Sequence, residues 1–141
     1  MDHLSRAGRS KVMSAIKSRD TRLELAVRQA LWRMRLRGYR VSPRGIPGRP
    51  DVYFSRKKIA VFVNGCFWHA CDKCYKRPRT NVAFWRAKAR ANKERDQRTR
   101  KQLEDLGVRV IVLWEHTIRK DFAALTRRLA KQIRASKECG L

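Results

Sequence analysis

Cys66, Cys71 and Cys74 stand in the spacing C-x4-C-x2-C, inside a run from Asn64 to Tyr75 that also holds Phe67, Trp68 and His69. Three soft thiolates at that spacing converge on one tetrahedral zinc, and a fourth ligand closes such a site. Two histidines compete for that place. His69 lies within the loop, whereas His116 follows Trp114-Glu115 at the end of an apolar run, where a side chain can fold back against it. If His116 is the ligand, His69 is left for proton transfer at neutral pH; if His69 is the ligand, His116 is idle. Phe67 and Trp68 are consecutive and cannot both point the same way from an extended loop. A metal-clamped loop would hold them out as a wedge able to enter a base stack. Trp85 and Met13 are further apolar candidates, each with core packing as its ordinary explanation.

Two carboxylates are placed where chemistry would need them. Gly48-Arg49-Pro50-Asp51 sets Asp51 at the start of an apolar strand. A hard divalent cation takes such an oxygen ligand, and phosphodiester hydrolysis needs a cation to offset transition-state charge. A Pro-Asp pair is also a common turn that bonds only local backbone, so both readings stand. Asp96 interrupts the apolar face of a long helix. Turned inward it requires an arginine, a histidine or a water bound to metal; with a drifting stripe it is solvated among nearby arginines. An imidazole freed at His69 is the group an inward Asp96 would orient.

The chain has 36 Lys+Arg against 12 Asp+Glu in 141 residues, a net charge of +24 and a pI near 11.4. A long-lived partner is therefore polyanionic, and nucleic acid leads. Charge alone fits a phosphate-coating protein equally well. The longest apolar runs, Ile59-Val63 and Val110-Trp114, are of strand length and too short to span a bilayer. No apolar stretch at the start resembles a signal peptide, so a cytoplasmic, nucleoid-associated protein is expected. In that reducing compartment the cysteine cluster reads as metal ligands and Cys139 as a free thiol.

The elements that must carry these residues are legible in outline. Leu4 to Arg19, with Val12, Met13 and Ile16, reads as a first helix or an arm ordered by DNA. Thr21 and Glu24 form a capping box for a second helix, whose stripe Leu23, Ala26, Val27, Ala30, Leu31 and Met34 ends at Gly38. Tyr39-Ser42 predicts a short strand and Pro43 to Pro50 a loop. Asp51-Ser55 and Ile59-Asn64 predict an antiparallel hairpin that runs into the cysteine loop. From Asn81 to Leu106 a long helix is expected, capped by Thr80 or Asn81 and stopped by Gly107, with a stripe at 82, 85, 89, 92, 96, 99, 103 and 106. Val82, Trp85, Ala89, Leu103 and Leu106 are its expected core residues. Val108-Trp114 predicts a buried strand, and Asp121 caps a final helix with Ala124, Leu125, Leu129 and Ile133 inward. One domain over residues 1–141 suffices, with 1–19 as a DNA-contacting arm or helix, and a monomer is expected.

Taken together, these residues resemble the very-short-patch-repair (Vsr) family of DNA mismatch endonucleases. The likeness runs from about Arg9 to Ile118. It is carried by Arg9-Ser10-Lys11 with Met13 and Ile16, Arg19-Asp20-Thr21 with Glu24, Ile46 to Asp51, Gly65-Cys66-Phe67-Trp68-His69, Phe84-Trp85, Glu94-Arg95-Asp96 and Val112-Leu113-Trp114-Glu115. The resemblance implies an α/β fold with a restriction-endonuclease-like core, a mixed central sheet flanked by helices, and a structural zinc loop. It implies a magnesium-dependent nick 5′ to the thymine of a T·G mismatch left by 5-methylcytosine deamination, in double-stranded DNA. Asp51 would hold magnesium with the backbone carbonyl of Val63, His69 would activate water with Asp96 behind it, and Glu24 and Asn64 would lie near the metal's water shell. Phe67, Trp68 and Trp85 would intercalate, Met13 would press from the other groove, and Cys66, Cys71, Cys74 and His116 would hold zinc. Val63 and Asn64 stand where a threonine and, in some relatives, a histidine are familiar, and no Glu-x-Lys follows Asp51. Two other functions fit parts of the pattern: a restriction-type nuclease of the same fold that cuts intact sites, and a noncatalytic zinc-containing nucleic-acid-binding protein.

Overall fold

Ile59–Asn64 is apolar at nearly every position, and a strand of that kind has to be covered on both faces. In the computed structural model, which describes residues 22–67 and 69–138, it is the central strand β2 of a three-stranded sheet of order β1-β2-β3. β1 (Val52–Phe54) pairs with it antiparallel, Val52 opposite Val61. β3 (Arg109–Trp114) pairs with it parallel, from Ile59 opposite Arg109 to Asn64 opposite Trp114. A parallel neighbour needs a crossover. Among the described residues four helices lie around the sheet, α1 (Arg22–Arg33), α2 (Val82–Asp105), α3 (Glu115–Lys120) and α4 (Phe122–Ala135), and α2 makes that crossover. No helix among the described residues is long and apolar enough to cross a membrane.

The two-residue period of β2 divides the core. Ile59, Val61 and Val63 pack with Val27 and Leu31 of α1 and with Leu125, Leu129 and Ile133 of α4. Ala60 turns the other way, to Leu103, Tyr53 and Val108, with Phe62 and Val110 at the margin. Leu31, Ile59, Leu129 and Ile133 are fully buried or nearly so, each worth about 1.5–3 kcal/mol. The α1/α4 side therefore supplies most of the apolar stabilisation. The thinner α2 side is left able to carry polar groups. α4 is held at its ends as well: Asp121 Oδ1 accepts from the Ala124 N–H at 3.0 Å, and Lys57 Nζ donates to the Ile133 carbonyl at 2.7 Å.

Several expectations are corrected. The helix expected to reach Gly38 closes at Arg33, because Arg35 enters the left-handed region at φ 63° and the Leu36 N–H turns back to the Leu31 carbonyl. Tyr39-Ser42 forms a single bridge, Arg40 to Tyr53, because Ser42 enters the left-handed region at φ 45° and its N–H turns to the Pro50 carbonyl. Asn81 stands at the N-cap of α2 in a left-handed conformation, and its side chain makes no capping bond. Val82 and Leu106, expected in the core, lie exposed at the two ends of α2, beyond the reach of the narrow sheet. β3 is half-buried for most of its length, being an edge strand; only Leu113 on it is fully covered. The segment 115–120, for which no element was expected, is a short helix. The helix or arm expected over 4–19, the Thr21 cap, Met13, Trp68 and Cys139 lie outside the described residues.

Candidate active site and metal centre

β2 delivers the chain into the cysteine loop at Gly65, and the loop folds on its own backbone. The His69 N–H donates to the Gly65 carbonyl at 3.2 Å, Cys71 N–H to Cys66 at 3.0 Å, and Tyr75 N–H to Cys71 at 2.9 Å, with Ala70 in the left-handed region at φ 48°. These turns bring Cys71 back beside Cys66. From the other side, Glu115 at the head of α3 accepts the Cys66 N–H at 3.1 Å through Oε1 and holds Arg119 at 3.1 Å through Oε2. Lys93 on α2 meets Asp72 at 2.7 Å and ties the outer part of the loop to the long helix.

α3 places His116 next to the thiols. His116 Nδ1 is 3.4 Å from Cys66 Sγ and 3.5 Å from Cys71 Sγ. The ligand atoms of Cys66, Cys71, Cys74 and His116 all lie within 4.8 Å of one another. Zn–S and Zn–N bonds of about 2.3 and 2.0 Å in a tetrahedron imply an S···N edge of roughly 3.5 Å, so the four side chains fit a metal of that kind. Burial pushes the Cys66 thiol up to about 11, with its neighbour Cys71 adding to the rise. Cys71 is drawn below its ordinary value: burial opposes this, but the N–H groups of Lys73 and Cys74 favour its thiolate. Such a pair shares its protons unequally, and a bound cation is what would make all three sulfurs thiolates. His69 is not part of this group.

His69 turns to α2 instead. Its Nδ1 lies 2.6 Å from Asp96 Oδ2, with the two side chains 25% and 35% exposed. Asp96 reaches it because residues 85, 89, 92, 96, 99 and 103 share the sheet-facing side of α2, along which Asn92 and Leu103 are buried. Trp114, the last residue of β3, stands edge-on to the imidazole at 6.4 Å. His69, Asp96, Asn64 and Trp114 line one half-open cleft of about 290 Å³ between α2 and the sheet.

Asp51 is linked to that cleft through β2. Buried just ahead of β1, it accepts the Val63 N–H at 2.6 Å through Oδ2, one residue before Asn64. Gly48, three residues earlier, lets the loop ahead of Asp51 lie close against α2. Its φ is 76°, and a Cβ there would stand 2.3 Å from Thr99 Cγ2 of α2 and 3.2 Å from Phe62. Glu24, buried on α1, shares the space around Asp51. Burial pushes the Asp51 carboxyl up to about 7, the Glu24 carboxylate adds to the rise, and the Val63 N–H and the Arg28 charge oppose it. Two buried carboxylates facing one another require a proton or a cation between them, and their oxygens are the donors that a hard divalent ion takes.

The aromatic residues form a strip. Phe67 lies 5.4 Å from Trp85 and 6.1 Å from Tyr75, and Trp85 lies 5.1 Å from Phe84, which is 60% exposed. Sequence reasoning missed Arg28 and gave Glu115 no role. Arg28 follows Glu24 by four residues on one helix, a spacing that marks a shared face. Nothing in the sequence ties Glu115 to the Cys66 N–H.

Comparison with known proteins gives a consistent set. The family model for the DNA mismatch endonuclease Vsr matches residues 1–76. The chain is 40% identical over 134 residues to the DNA mismatch endonuclease Vsr of Escherichia coli (strain K12), covering 91% of this chain and 85% of that one. It is 38% identical over 125 residues to the Type II nicking enzyme V.NaeI of Lentzea aerocolonigenes, covering 84% and 74%. It is 37% identical over 139 residues to the Type II nicking enzyme V.NmeAIP of Neisseria meningitidis, covering 97% of each.

Proposed function

The chain belongs to the Vsr family of DNA mismatch endonucleases, and from that premise we propose that it nicks one DNA strand 5′ to the thymine of a T·G mismatch produced by 5-methylcytosine deamination. The observation that carries this reading is the 2.6 Å contact of His69 with Asp96, in the cleft that Asn64 also lines. With Asp96 accepting from Nδ1–H, the imidazole keeps Nε2 unprotonated and aimed away from the carboxylate. Nε2 then accepts the proton of the attacking water, and Asp96 stabilises the imidazolium that results.

Asp51 and the carbonyl of Val63 would hold magnesium, with Glu24 and Asn64 near its water shell. The ion would supply Lewis-acid stabilisation of the phosphodiester's developing charge. The Val63 N–H fixes the Asp51 carboxylate, and Asn64 contributes a neutral amide beside the same strand end. Cys66, Cys71, Cys74 and His116 would hold zinc, which supplies rigidity only, keeping His69 against Asp96 and Phe67 against Trp85. Phe67, Trp68 and Trp85 would enter the stack beside the mismatch, with Met13 from the opposite groove, so that the cost of unstacking favours an already weakened pair.

The remaining parts of the reading follow from these roles. A mixed sheet with Asp51 beside its antiparallel pair supports a restriction-endonuclease-like core in a single endonuclease domain. Residues 1–19 would form the DNA-contacting arm, and a monomer acting on nucleoid DNA in the cytoplasm fits the net charge of +24. Relatives named nicking enzymes favour a cut in one strand over a restriction-type cut in two. Labelled duplexes differing only by T·G, T·A or C·G at one position, each with and without magnesium, test the proposal. Nicking confined to T·G with magnesium supports it. Equal cleavage of all three, or cleavage of none, overturns it.

A further inference from the structure

We infer that Glu115 is a positioning residue for His69, acting through the one peptide group between Gly65 and Cys66. The inference rests on the reading of His69 as the group that takes the proton of the attacking water, and adds to it the residue that fixes the backbone carrying the imidazole.

That peptide group is gripped from both sides. Its N–H, of Cys66, donates to Glu115 Oε1 at 3.1 Å. Its carbonyl, of Gly65, accepts from the His69 N–H at 3.2 Å. A peptide is planar, so its N–H and carbonyl turn as one body, and a rotation that breaks the first bond misdirects the second. A metal on Cys66 Sγ does not replace Glu115 here. It fixes the side chain, whereas the peptide ahead of it can still turn about its own axis, and Gly65 has no Cβ to oppose the turn.

α3 is suited to hold the carboxylate in place. Glu115 is its first residue, 29% exposed, and Oε2 accepts from Arg119 Nε at 3.1 Å one turn on. The next residue, His116, brings Nδ1 to 3.4 Å from Cys66 Sγ, so one helix end sets both the thiol and the backbone of Cys66. His69 is then fixed twice, its side chain by Asp96 at 2.6 Å and its backbone by the Gly65 carbonyl. Glu115 does not line the cleft that His69 and Asp96 share. Its loss should therefore alter the aim of the imidazole and not the binding of DNA, and a misplacement of about 1 Å can cost on the order of 100-fold in rate.

The ordinary role of a glutamate in this place is to stabilise α3 by its charge at the helix start and its pair with Arg119. Reach and charge can be separated. Glu115→Gln loses the charge and keeps an oxygen at the same distance; Glu115→Asp keeps the charge and draws both oxygens back by one methylene. The test reads amide exchange of Cys66 and His69 by nuclear magnetic resonance on the full chain without magnesium, beside zinc content, duplex affinity and single-turnover nicking of a T·G duplex.

Glu115→Ala and Glu115→Asp are expected to speed exchange at both amides by about tenfold and to slow nicking by about tenfold or more, with zinc content and duplex affinity kept. Glu115→Gln should recover most of the protection and most of the rate. If Glu115→Ala folds poorly, Glu115→Asp carries the reading alone. Faster exchange at Cys66 without a change at His69, a Gln variant as impaired as Ala, or zinc lost from both Ala and Asp would make Glu115 a brace of the helix or of the clamp and overturn the inference. Wild-type protein that leaves the T·G duplex uncut refutes the reading of His69 instead, while amide exchange still reports whether Glu115 holds the His69 backbone.

Discussion

Replacing Asp51 by Asn should stabilise the metal-free protein while removing its activity. Burial and the Glu24 carboxylate raise the Asp51 carboxyl from an ordinary 3.8 to about 7. The folded state therefore holds a proton that the unfolded chain releases near pH 4. Stability conferred by the protonated carboxyl is complete below that pH, is lost as pH rises toward 7, and is level above it. The whole difference corresponds to about 4 kcal/mol at pH 8. Asparagine is never ionised, and its Oδ1 can still accept from the Val63 N–H that Asp51 now binds at 2.6 Å. Its amide can donate to Glu24. Imperfect packing of that amide reduces the gain, so Asp51→Asn should be more stable than wild type by about 1–3 kcal/mol at pH 8 and equal to it near pH 4. Urea unfolding at both pH values, without magnesium and without chelator so that any cysteine-bound metal stays in place, measures the difference. Adding magnesium should then stabilise wild type and leave the variant unmoved. A variant less stable than wild type at pH 8, or a difference that does not change with pH, refutes the reasoning.

Other substitutions separate clamp, base and scaffold. His116→Ala should lower zinc content from about one per chain and reduce the melting temperature, while His69→Ala keeps both; metal analysis beside thermal unfolding reads the pair. Asp96→Asn should slow single-turnover nicking by about 10²-fold or more at saturating DNA, with stability changed by less than about 1 kcal/mol. Gly48→Ala should destabilise by about 2 kcal/mol or more, because its Cβ meets Thr99 Cγ2 and its φ is 76°. Adding Thr99→Ser, which deletes that methyl, should recover part of the loss in urea unfolding and leave the backbone strain.

What the sequence makes legible follows local rules. The approach of Asp96 to His69 is foreshadowed by the helical stripe 85, 89, 92, 96, because that side of α2 lies over the sheet and the cysteine loop. The hairpin of β1 and β2 is likewise local, its strands separated by four residues, 55–58. Terminations are less legible. Arg35 takes the left-handed conformation that glycine usually supplies, so α1 stops before the Gly38 that marks its end in the sequence. Leu106 looks like core by period, yet α2 outruns a three-stranded sheet and leaves it 58% exposed. Pairings between distant segments are the hardest to foresee. Glu115 reads as the residue after a strand until the turn of α3 brings its carboxylate to the Cys66 N–H, 49 residues away.

Mapping the cut on a T·G duplex at nucleotide resolution, with both strands labelled and magnesium present, is the most direct measurement of the central claim. The expected product is one nick, 5′ to the mismatched thymine, absent from the paired T·A duplex and lost in both Asp51→Ala and His69→Ala while each variant still binds the duplex. A nick in both strands, a nick indifferent to the mismatch, or undiminished cutting by either variant would contradict it.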